Sequence, residues 1–154
     1  MHEPPRIILL ALLIALEQLK SPLTPEEKEA LETTASQLYL DPDDWDFIKE
    51  GLIVTIEKNP DLYKNYQTTL VKLQAVKGNI PSELMPTKKE LEAELVQGNK
   101  EPITFGHFEG EPDRESDEIL NVTINVLRKE PEKTVKNLSF IERIKNWLSN
   151  QQNP

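Results

Sequence analysis

The chain has 154 residues, of which 37% are hydrophobic and 29% charged, enough for one domain with a self-sufficient core or one domain with an appendage. It has no cysteine, which excludes disulfides, thiol catalysis and zinc–thiolate sites and fits a reducing, cytoplasmic setting. Its formal net charge of −9 disfavours nucleic acid as a partner, because the surface as a whole repels phosphate.

The charge is unevenly spread. Residues 128–154 hold six basic side chains against three acidic ones, a net +3, and the rest of the chain is therefore −12. Such asymmetry points to recognition of charged partners.

Residues 7–16, IILLALLIAL, form an unbroken apolar run. The run is too short to span a bilayer, which takes about 20 apolar residues. No small-residue cleavage pattern follows it, so it is expected to be a core helix running from Pro5 to Lys20, apolar nearly all round. Thr24-Pro25-Glu26-Glu27 combines a capping box with a proline at the first helical position and opens a second helix, with Ala30, Leu31, Ala35 and Leu38 on its buried stripe. Asp41-Pro42-Asp43-Asp44 is expected to open a third helix in the same way, with acids at the positive end of the helix dipole and Trp45, Ile48, Leu52 and Ile56 turned inward. Asn59-Pro60-Asp61 opens a fourth, with Leu62, Tyr66, Leu70 and Leu73 inward and Lys77-Gly78 at its end. Four helices with short links predict a compact antiparallel bundle over residues 1–78. In architecture alone this resembles helical adaptor modules, including death-fold-like ones, a likeness that implies no function.

Residues 79–154 read as a mixed α/β appendage. Thr87-Lys88-Lys89-Glu90 is a capping box heading a short helix over 88–96, and Gly98 ends it. Residues 103–109, ITFGHFE, have strand-like composition. Over 118–127, Leu120, Val122, Ile124 and Val126 alternate as in a strand, which predicts a two-stranded element with 103–109. The same stretch also matches helical spacing through Ile119, Val122, Thr123, Val126 and Leu127. Ser139-Phe140-Ile141-Glu142 is a capping box for a terminal amphipathic helix over 140–149. The expected fold is thus mainly α: an N-terminal four-helix bundle, then the mixed appendage.

Candidate chemistry is sparse. Asp41, Asp43, Asp44 and Asp46 suggest a cation loop, but Trp45, Asp46 and Leu52 stand at its fifth, sixth and twelfth positions, where an EF-hand needs an oxygen ligand, glycine and glutamate. Helix capping by acids explains the cluster without a metal. His107, Glu109 and Glu111 would share one strand face but lack further convergent ligands. There is no nucleophile elbow or glycine-rich phosphate loop, so no catalytic residue, cofactor or metal is expected and the chain reads as no enzyme.

The terminal helix is the site candidate: Phe140, Ile144, Trp147 and Leu148 as apolar anchors and Arg143 and Lys145 at the rim. The expected function is a protein–protein interaction module, an adaptor or assembly factor, docking another protein through this helix. An acidic inhibitor or antitoxin-like protein that neutralises a basic partner is the alternative, and a metal-dependent enzyme the least favoured. Contact with an anionic membrane surface is a weaker reading of the same helix. Oligomeric state is not legible in the sequence.

Overall fold

The computed structural model describes residues 5–76, 80–85, 114–128 and 130–151. Among them the fold is mainly helical and contains no strand. The helices are α1 (Pro5–Glu17), α2 (Pro25–Leu40), α3 (Trp45–Glu57), α4 (Pro60–Ala75), α5 (Arg114–Leu127), the single turn α6 (Pro131–Thr134) and α7 (Ser139–Gln151). Short 3₁₀ turns lie at Ser82–Leu84 and Val135–Asn137.

Two of the proline-led starts form as their sequences dictate. The Thr24 hydroxyl accepts from the Glu27 N–H at 3.1 Å, and the Glu27 carboxylate accepts from the Thr24 N–H at 2.8 Å. Two backbone donors at the start of α2 are thereby satisfied reciprocally. At α4 the Asn59 side-chain oxygen accepts from the Leu62 N–H at 3.1 Å, with Pro60 at the first position. Helix α3 differs. It begins at Trp45, three residues beyond Pro42, and its cap Asp44 makes no side-chain capping bond. Pro42 sits instead in a turn closed by the Asp44 N–H donating to the Asp41 carbonyl at 3.1 Å.

Helix α1 organises the core. Residues 7–16 are buried without exception, which a helix apolar all round requires. It packs against α4, α5, α6 and α7. Around it the chain closes a ring: α1 meets α4, α4 meets α3, α3 meets α2, α2 meets α5, and α5 returns to α1. The inward stripes are Leu31, Ala35 and Leu38 on α2, Ile48, Leu52 and Ile56 on α3, and Leu62, Tyr66 and Leu73 on α4.

The strand expected over 118–127 is a helix, α5. Ile119 to Thr123 are buried on consecutive positions, followed by Ile124, Val126 and Leu127, so the segment is surrounded rather than two-faced. Asn121, Thr123 and Asn125 alternate with Leu120, Val122, Ile124 and Val126, but Asn121 and Thr123 are buried with them, so the alternation does not separate an inner face from an outer one. Two of its polar side chains bond back to the helix's own backbone. The Thr123 hydroxyl donates to the Ile119 carbonyl at 2.7 Å, and the Asn125 amide to the Asn121 carbonyl at 2.8 Å. A two-stranded element involving 118–127 is therefore absent, and the α/β character expected of the appendage is not shown. The helix expected over 88–96 and the strand over 103–109 lie outside the described residues.

Candidate functional site

Helix α7 spans the expected 140–149 and extends it by one residue at its start and two at its end. Phe140, Ile144 and Leu148 lie on one face and are buried in the core, and Trp147 is half-buried against it. The face that suggested docking is thus turned onto the chain's own interior, beside α1.

The two rim cations are also engaged. The Lys145 ammonium donates to the Glu17 carboxylate of α1 at 2.6 Å and lies 3.5 Å from Glu142. Burial pushes the Lys145 pKa down, but the hydrogen bond and charge of Glu17, helped by Glu142, outweigh it and hold the pKa above its ordinary value. Arg143 reaches the Ser139 hydroxyl at 3.3 Å and the Leu84 carbonyl at 3.4 Å. All six residues singled out in the sequence therefore contact the chain's own fold: three buried anchors, one half-buried tryptophan and two cations that tie α7 to neighbouring segments.

A second cross-tie joins the C-terminal part to the α1–α2 link. The Glu132 carboxylate, 4% exposed, accepts from the Leu23 N–H at 2.6 Å, with the Lys28 ammonium 4.0 Å away. Glu130 precedes it with φ of 28°, in the left-handed region that side chains with a Cβ enter at a cost. The Glu130 carbonyl there accepts from the N–H groups of Lys133 and Thr134, both at 2.9 Å, and starts α6.

Metal and small-molecule chemistry finds little purchase among the described residues. No group of three or more His, Asp or Glu side chains there converges as a metal site, and Asp41, Asp43, Asp44 and Asp46 fall under that statement. His107, Glu109 and Glu111 lie outside the described residues. A surface cavity of about 200 Å³ is lined by Gln18, Lys20, Asp61, Lys64 and Asn65, polar and charged groups. No helix among the described residues is long and apolar enough to cross a membrane.

The outward face of α3 is different. Phe47 is 60% exposed and Val54 51% exposed, opposite the buried Ile48, Leu52 and Ile56. Phe47, Gly51 and Val54 follow one another at i, i+4 and i+7, one line along the helix. A Cβ built on Gly51 would meet nothing within 4 Å, so the line has a notch at its centre. Glycine in a helix interior costs about 0.5–1 kcal/mol relative to alanine, and no neighbour among the described residues requires it. The acids Asp41, Asp43, Asp44, Asp46, Glu50 and Glu57, all exposed, lie along α3 and its leading turn. At the end of α2, next to that turn, Leu40 is 78% exposed. The sequence reading followed the inward stripe of α3 and passed over Phe47 and Val54. The available signal was that both are large apolar residues off that stripe.

No protein family, curated protein or solved structure matches the chain, so what it does has to come from its own residues.

Proposed function

We propose that this chain is a non-enzymatic protein-interaction module, an adaptor or assembly factor, and that it docks its partner on the outward face of α3. The exposed pair Phe47 and Val54, aligned on one helix face within an acidic surround, carries the reading. Isolated exposed apolar residues are ordinary, but aligned ones on a strongly charged helix are what a docking face uses. Docking through α7 would require that helix to leave the core and bare the apolar surface of α1. The acidic surround also keeps the inhibitor reading in view, because it favours a partner with basic groups around its contact surface.

The test is capture of partners from the native cell with the tagged full-length chain. Phe47→Asp together with Val54→Asp should lose the partner while circular dichroism stays native. Val71→Asp, at an exposed apolar position on α4, should keep it. Recovery of the same partner by the double variant would end the proposal.

A further inference from the structure

We infer that the occupant of the α3 face is an amphipathic helix of another protein, with an apolar ridge bordered by Lys or Arg. This rests on the reading of α3 as a docking face and names what docks there.

Three features on that face converge. The first is the notch. Gly51 destabilises its own helix relative to alanine, it has no positive φ to justify it, and among the described residues nothing beyond its own helix lies within 4 Å of where its Cβ would be. A glycine between two projecting apolar side chains lets a second helix bring its ridge close to the backbone of the first. The second is dimension. Phe47 and Val54 stand seven residues apart, about 10 Å along the axis, two turns of helix. A partner helix reading i, i+3 or i+4, and i+7 meets the same repeat. A peptide that docks by strand addition would need a free sheet edge, and the described residues contain no strand.

The third is charge. Phe47 and Val54 are each followed three residues later by a glutamate, Glu50 and Glu57, and both are exposed. Over residues 41–57 there are six acids and one lysine. Residues three apart are surface neighbours on a helix, so the apolar line carries an acidic border. A second copy of this chain would present the same acids to them, and like charges juxtaposed in an interface oppose association. Anionic lipid headgroups are disfavoured for the same reason. A ridge edged with Lys or Arg satisfies the apolar line and its border together.

The experiment titrates the full-length chain with two helical peptides of about 18 residues, five turns. They share one leucine–alanine ridge and differ only in a lysine or glutamate border. Binding is followed by calorimetry and by amide chemical shifts. The lysine-bordered peptide should shift α3 signals and weaken at high salt, and the glutamate-bordered one should bind at least about tenfold more weakly. Gly51→Leu, a substitution that fills the notch with a good helix former, should raise thermal stability and yet cost at least about tenfold in affinity. No binding of the lysine-bordered peptide overturns the inference. So do equal affinities for the two peptides, shifts outside α3, or binding indifferent to Gly51→Leu. Self-association seen by sedimentation and abolished by Phe47→Asp would assign the face to a second copy and also overturn it. If the native partner depends on Phe47 and Val54 while the peptides fail, the docking face stands and only the helical occupant falls. If both fail, the face itself is wrong.

Discussion

Glu132 shows how much can depend on one side chain. A carboxylate 4% exposed is costly unless its oxygens are used. One oxygen accepts the Leu23 N–H, a backbone donor just ahead of the α2 cap and outside any helix ladder. The Lys28 ammonium, 4.0 Å away, balances its charge, while the other oxygen is buried without a hydrogen-bond partner. Removing the acceptor leaves a buried donor unmet, which costs about 1–3 kcal/mol. Glu132→Ala should therefore lower stability in urea unfolding by about that amount. Glu132→Gln keeps an acceptor for Leu23 and removes the buried charge, so it should cost clearly less. Equal losses would show that charge and not the hydrogen bond is what Glu132 supplies.

Among the elements, α7 shows the limit of a periodic pattern. The sequence placed its capping box and its apolar face closely, because both are local. What covers that face is a property of the whole fold. Helix α1, apolar all round, needs neighbours on every side, and α7 is one of them beside α4, α5 and α6. Phe140, Ile144 and Leu148 thus serve the core, and the same pattern in a docking helix would look identical. Helix α5 differs from its strand-like pattern for a related reason: Asn121, Thr123 and Asn125 alternate with apolar residues, yet Asn121 and Thr123 are buried too, so residue type there does not mark an outer face. Phe47 and Val54 went unnoticed because the inward stripe of α3 already accounted for a helix there. The Lys145–Glu17 pair fastens α7 to α1 and gives this element a pH signature. The Lys145 pKa is raised in the folded chain, so its contribution is fully present below the unfolded-state pKa and lost as pH rises through the folded one. Lys145→Met keeps the stem and removes the charge. The melting-temperature gap between wild type and this variant should hold steady through neutral pH and close above the ordinary lysine range. A gap that persists there would mean the ammonium contributes through packing alone.

At the scale of the molecule, ion pairs of both senses tie the two ends together. Lys145 meets Glu17 across 128 positions of chain, and Glu132 and Glu130 meet Lys28. These ties accompany a shared apolar interior, because α5 fills the gap between α1 and α2 while α6 and α7 cover α1. The division at residue 78 suggested by the four helical patterns can be tested against that interior. A fragment of residues 1–78 would lose the cover supplied by Ile119, Leu120, Ile124, Phe140, Ile144 and Leu148, all buried. Each such side chain is worth about 1.5–3 kcal/mol on burial, and a whole domain is stable by only about 5–15 kcal/mol. The loss is therefore comparable to the entire stability. The fragment should give a broad, non-cooperative melt and bind a hydrophobic dye. In the full chain, circular dichroism and tryptophan fluorescence should follow one urea transition, since Trp45 on α3 and Trp147 on α7 report on the two halves of one core. A sharp melt of the fragment near the full-chain midpoint would instead establish 1–78 as an independent bundle and make α5 to α7 a separable attachment.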